Sequence, residues 1–132
     1  MSTMKIKLSP RQIGAIGVSR VMSSLLRCGY NVLTPMEDFS GYDLVAEKNG
    51  KFHRIQVKAA QNVELGRSRY RFTTSCGSGY NAPKKLITGV DYVACWAMHD
   101  DLFWVLPIAR CKSVTTLLCP STGQSWRVFQ NL

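Results

Sequence analysis

A chain of 132 residues is long enough for one domain with a sizeable core, and its 45% apolar content is ordinary for a globular protein. Net charge is +9, from 17 basic against 8 acidic residues, which sets aside an acidic solvating chain. No apolar run approaches the roughly 18 residues of a membrane span, so a membrane partner is not expected.

The first element is a helix. Ser9-Pro10-Arg11-Gln12 supplies a capping serine, a proline at the first helical position and a glutamine at the capping-box position. Ile13, Ile16, Val18, Val21, Met22, Leu25 and Leu26 then recur at amphipathic spacing, and Gly29 stands where a helix stops. Gly14 and Gly17 each weaken such a helix by roughly 1 kcal/mol relative to alanine. Their expected role is close approach of this helix to a sheet.

Strands follow. Tyr30 to Leu33 reads as a short strand ended by Thr34-Pro35. Tyr42 to Glu47 and Phe52 to Ala59 read as a hairpin turning through Lys48-Asn49-Gly50-Lys51. Tyr70 to Thr74 is a further strand, and Cys76 to Asn81 a small-residue loop. A short helix is expected near Lys84 and Lys85, after Pro83. Asp91 to Met98 and Leu102 to Leu106 are strand-like around a His99-Asp100-Asp101 turn, and Val114 to Leu118 and Trp126 to Phe129 complete the set. One leading helix before a mostly antiparallel or mixed sheet points to a single α/β or α+β domain over residues 1–132.

Five cysteines at irregular spacing, with no C-x-x-C pair and only His53 and His99 beside them, fit neither a disulfide framework nor structural zinc. The polar, basic stretch from Met1 to Pro10 has no signal-like core, so reduced thiols in the cytoplasm are expected.

The positive charge is concentrated. Lys48, Lys51, Arg54, Lys58, Arg67, Arg69, Arg71, Lys84 and Lys85 face the single acid Glu64 between positions 48 and 85. Such a field favours a polyanion through counterion release, without distinguishing DNA from RNA or from an acidic protein. Arg67, Arg69 and Arg71 alternate and are expected on one strand face as phosphate contacts. Lys84 and Lys85 are further candidates for phosphate, and Tyr80 and Asn81 for bases. Simple solvation explains these last four equally well. Trp96, Phe103 and Trp104 read as core.

Chemistry gathers on the hairpin. In Arg54-Ile55-Gln56-Val57-Lys58, alternation sends Ile55 and Val57 to one face and Arg54, Gln56 and Lys58 to the other, where they meet Asp43. Phosphodiester cleavage needs a metal against the developing charge and a positioned water. Mg²⁺ uses one or two protein carboxylates and fills its remaining positions with water and phosphate. Asp43 is then the principal ligand, Gln56 offers an amide oxygen, and the Val57 carbonyl completes the set. Lys58 orients the water or neutralises the phosphate. An ordinary Asp43–Lys58 ion pair on a strand edge is the alternative. His53 falls on the face opposite Gln56, which argues against a general base there.

Gly14-Ala15-Ile16-Gly17, Leu25, Gly29-Tyr30-Asn31-Val32, Tyr42-Asp43-Leu44-Val45 and Ile55-Gln56-Val57-Lys58 occur in the order and rhythm of the PD-(D/E)XK nuclease superfamily. The chain resembles its small intron-encoded homing endonucleases and, more distantly, archaeal Holliday-junction resolvases. The match is densest over residues 10 to 60, and looser through Gly89 to Val93 and Trp104 to Pro107. The resemblance implies a restriction-endonuclease-like α/β core, a leading helix on a central mixed sheet. It also implies cleavage of double-stranded DNA with Mg²⁺ (Mn²⁺ as substitute), often by a homo-oligomer. Asp43, Gln56 and Lys58 fall on the superfamily's core motif, and glutamine at Gln56 is a variation known among the homing members. Val18 is the departure: relatives usually place glutamate there, eleven residues before the glycine matching Gly29. A site so depleted leaves two readings beside the enzyme. One is a nuclease fold that binds DNA without cutting; the other is a basic surface that meets an acidic protein.

Overall fold

The computed structural model describes residues 6–37, 41–64, 66–76, 85–86, 89–113 and 115–132. Helix α1 spans Pro10–Arg27, and the capping box closes as expected: Gln12 N–H donates to Ser9 Oγ at 3.2 Å and Ser9 N–H to Gln12 Oε1 at 2.7 Å. Gly29 takes φ +87°, left-handed backbone that side chains resist. Lys48 then donates from Nζ to the Cys28 carbonyl at 2.7 Å, placing a cation where the helix leaves unsatisfied oxygens. No helix among the described residues is long and apolar enough to cross a membrane.

The strands are β1 (Asn31–Leu33), β2 (Leu44–Lys48), β3 (Lys51–Ala60), β4 (Tyr70–Thr73), β5 (Ser75–Cys76), β6 (Lys85–Leu86), β7 (Tyr92–Ala97), β8 (Leu102–Pro107) and β9 (Thr115–Leu118). A five-stranded sheet runs β1-β2-β3-β7-β8, antiparallel except for the parallel β3–β7 pair; β4 pairs with β9 and β5 with β6. Asn49 and Gly50 turn the β2–β3 hairpin at φ +53° and +79°. Two successive left-handed residues match the strand twist, which is why Asn-Gly sits there.

Two cores cover the two faces of this sheet. On one, Val21 and Leu25 of α1 meet Leu44, Ala46, Ile55, Val57, Ala94 and Trp96. On the other, Tyr70 and Phe72 of β4 lie over Val93, Cys95, Ala97 and Trp104. β7 is thus buried on both sides, as a strand in parallel pairing usually is.

Gly17 explains the closeness of α1. A Cβ added there would lie 2.8 Å from Ala59 Cβ and 3.6 Å from both Trp96 and Val57. Gly14 meets nothing within 4 Å, so close approach accounts for Gly17 alone. Gly17→Ala is expected to destabilise by about 1–3 kcal/mol, the usual cost of overpacking. In the Ala59→Gly background urea titration should show that cost shrink, since the clashing carbon is gone.

Three expectations change. Trp126 to Phe129 is not a strand but part of a 3₁₀ helix, Trp126–Asn131, capped by Ser125 Oγ. Lys85–Leu86 is β6 rather than a short helix. Arg67 and Arg69 precede β4, in a bend where Arg67 N–H donates to the Glu64 carbonyl, so the three arginines do not share a strand face.

Tyr70 is fully buried, and its hydroxyl donates to Asp100. Burial first, and the Asp100 carboxylate second, push the phenol up to about 12. A raised acid keeps its proton in the folded chain after the unfolded chain has lost it. Tyr70 therefore adds stability below pH 10, and that contribution is lost between about pH 10 and 12. In urea titrations across that window Tyr70→Phe is expected to lose less stability than the parent, by up to about 2 kcal/mol.

Candidate active site

β2 begins one residue after Asp43, and that residue is gripped from β3. Asp43 N–H donates to the Ile55 carbonyl at 2.9 Å, and its Oδ2 accepts from Val57 N–H at 2.7 Å. Backbone and side chain thus bracket Gln56. Strand backbone positions the carboxylate, a good basis for a fixed ligand.

Gln56 and Lys58 alternate away from Ile55 and Val57, toward the core face built by Tyr70, Phe72, Val93 and Cys95. Both are half-buried. Lys58 stands opposite Cys95 in the β3–β7 register, where burial pushes the Cys95 thiol up. The structure therefore brings Asp43, Gln56, Val57 and Lys58 together at one end of the hairpin. His53 turns to the other face and packs edge-on against Tyr92 at 5.6 Å.

The donor set suits a hard divalent cation. A carboxylate oxygen has two acceptor positions, so the Val57 hydrogen bond leaves Asp43 room to ligate. An amide carbonyl at Gln56 and a backbone carbonyl at Val57 are oxygen ligands of the kind Mg²⁺ accepts alongside water. Among the described residues no three His, Cys, Asp or Glu side chains group to hold a metal, and Asp43 is the acidic member of this donor set. Val18 is half-buried against the α1 core and brings no carboxylate.

The proposed nucleic-acid contacts scatter. Arg54 lies on the site face two residues from Gln56, and Asp91 ties it down: Arg54 N–H donates to Asp91 Oδ2 at 2.7 Å, and the guanidinium pairs at 3.4 Å. That backbone hydrogen bond, first, and the guanidinium hold the Asp91 carboxyl below its usual range. The sequence marked Asp91 only as a strand start, because its partner lies 37 residues away. Lys51 is exposed at the closed end of the hairpin, five residues or about 17 Å of strand from Gln56. Arg67 is exposed and Arg69 half-buried. Arg71 pairs with Glu64 at 3.1 Å. Tyr80, Asn81 and Lys84 lie outside the described residues, and Lys85 is placed only by its backbone in β6.

The sheet and its leading helix have counterparts in known proteins. A bacterial homing endonuclease, I-Ssp6803I, superposes with a TM-score of 0.74 over 87% of this chain and 81% of its own, at 22% identity. That likeness establishes the restriction-endonuclease-like fold. No curated protein matches the sequence. The sequence profile of the PD-(D/E)XK endonucleases matches residues 8–124, nearly the whole chain. The chain belongs to the PD-(D/E)XK endonuclease family.

Proposed function

We propose that this nuclease is a metal-dependent DNA endonuclease of homing or resolving type, acting on double-stranded DNA through Asp43, Gln56 and Lys58. The observation that carries the reading is the Asp43 carboxylate fixed on Val57 N–H beside Gln56, with Lys58 on the same strand face. Asp43, Gln56 and the Val57 carbonyl would hold Mg²⁺, or Mn²⁺ in its place. Such a metal supplies positive charge to the phosphate and lowers the pKa of bound water. Lys58 brings an ammonium to the scissile phosphate and orients the attacking water. The water oxygen joins phosphorus and gives up a proton to solvent, one P–O ester bond breaks, and the leaving oxygen takes a proton from solvent. Arg54, Lys51 and the Arg67 to Arg71 segment contribute phosphate contacts around the site.

A homo-oligomer that engages both strands belongs to the same reading, as does a cytoplasmic setting. The free thiols of Cys28, Cys95, Cys111 and Cys119 suit a reducing compartment.

One observation favours a second reading. Val18, where relatives carry glutamate, packs half-buried on the core, so the site keeps a single acidic ligand. On that reading the fold binds DNA and does not cut it. Plasmid nicking in Mg²⁺ and Mn²⁺ separates the two. Nicked circles that accumulate with time support the enzyme. Salt-sensitive, metal-independent binding with no nicking at saturating protein establishes the binder.

A further inference from the structure

A second basic feature sits away from this site, where α1 meets the 3₁₀ helix Trp126–Asn131. Arg27, in the last turn of α1, lies over the Trp126 ring at 3.8 Å, and Arg127 lies 5.1 Å from the same ring. Cys28 Sγ contacts the Trp126 carbonyl at 3.7 Å, and Lys48 reaches the Cys28 carbonyl while its ammonium stands 4.4 Å from the Tyr30 ring. Three cations thus converge on two aromatic rings. Arg20 pairs with Asp101, Arg54 with Asp91 and Arg71 with Glu64, and Arg27, Lys48 and Arg127 take no part in these pairs.

Both arginines are exposed, yet stacking restrains them. A guanidinium laid on a ring has lost part of its rotamer freedom and keeps its N–H edges for an acceptor. Aromatic rings attract the cations without neutralising them. Glu47, beside Lys48, is engaged by Asn31 Nδ2 and Gly50 N–H, so the patch keeps its positive charge for an outside anion such as phosphate.

Its position sets which phosphates. α1 lies on the Val57 and Ala59 face of the sheet, and the 3₁₀ helix packs with it on that layer, whereas Gln56 and Lys58 point to the opposite face. The patch therefore lies on the layer opposite the face that carries Gln56 and Lys58. We propose that Arg27 and Arg127, steadied by Trp126, bind the phosphate backbone of a nucleic-acid segment other than the one held at the cleavage site. This rests on the nuclease reading above and extends it to a second contact.

The test compares the parent with Arg27→Gln/Arg127→Gln by fluorescence anisotropy across a salt series. It uses a duplex of about one helical turn (~10 bp) and one of about four turns. If the second segment is flanking DNA, the long duplex loses affinity in the variant and its log K against log salt slope becomes shallower by about 2. The short duplex is then unchanged. If the second segment is a separate molecule, the parent binds two short duplexes per chain and the variant one. Arg27→Lys/Arg127→Lys, which keeps the charge, should restore most of the slope. Unchanged binding of both duplexes by the glutamine variant overturns the proposal while nicking remains intact. Absence of DNA binding by the parent overturns the nuclease reading with it.

Discussion

Asp43→Asn is expected to abolish strand cutting while leaving the fold at its parent stability. The separation follows from how Asp43 is held. Its Oδ2 accepts from Val57 N–H at 2.7 Å, and the asparagine carbonyl oxygen can take that hydrogen bond over. The Val57 donor keeps its partner, so the 1–3 kcal/mol usual for losing that bond is avoided. What disappears is the negative charge, the one carboxylate among the proposed ligands. A metal's contribution to phosphoryl transfer is several kcal/mol, and about 4 kcal/mol corresponds to roughly 10³-fold in rate. Nicking by Asp43→Asn should therefore fall by at least about 10³-fold, with DNA binding kept or tightened because one repulsive charge is gone. Lys58→Ala should lose rate in the same direction. Parent-like cutting by Asp43→Asn, in Mg²⁺ and at equal folded fraction, would place the chemistry elsewhere.

What the sequence disclosed depended on how local the determinants were. The capping box at Ser9 and Gln12, the Gly29 stop and the Asn49-Gly50 turn are each settled within about four residues, and all three stand. The hairpin carried the candidate site for the same reason: Asp43 is brought to Gln56 by a short turn that fixes register. Longer-range features were hidden. Nothing near Arg54 announces Asp91, and nothing near β3 announces its parallel pairing with β7 across β4 to β6. Asp101 was similarly unreadable; it takes a two-pronged pair from Arg20 of α1 and a 2.7 Å hydrogen bond from Trp96 Nε1, joining helix and sheet. Elsewhere the period misled. Trp126 and Val128 alternate as a strand would, but Trp126, Phe129 and Leu132 recur at three, the repeat of a 3₁₀ helix. Phe129 packs edge-on against Phe103 at 5.4 Å, and that tertiary contact favours the period of three. Arg67, Arg69 and Arg71 alternate too, yet Gly66 at φ +74° turns the chain there, and the strand starts only at Tyr70.

Val18→Glu is expected to raise cutting and lower the Mg²⁺ concentration it requires. Val18 follows Gly17 on α1, at the flank of the buried stripe formed by Gly17, Val21, Ser24 and Leu25. It is half-buried there, so a longer side chain is not forced into the centre of the core. Glutamate is what the family resemblance implies at this position, and if its side chain reaches Asp43 from the helix side of the sheet it doubles the negative charge available to a cation. Added carboxylates strengthen hard-cation binding, and tenfold in affinity needs only about 1.4 kcal/mol. Half-maximal nicking should therefore move to at least about tenfold lower Mg²⁺. The substitution also removes apolar contact from the core, at a cost of about 1–2 kcal/mol that thermal unfolding should register. The combination with Asp43→Asn should stay inactive, because the restored acid assists Asp43 and does not replace it. If Val18→Glu lowers the melting temperature without moving the Mg²⁺ dependence, Val18 is a packing residue with no bearing on the metal. If it turns a silent parent into a nuclease, the valine is what converts a cutting fold into a binding one.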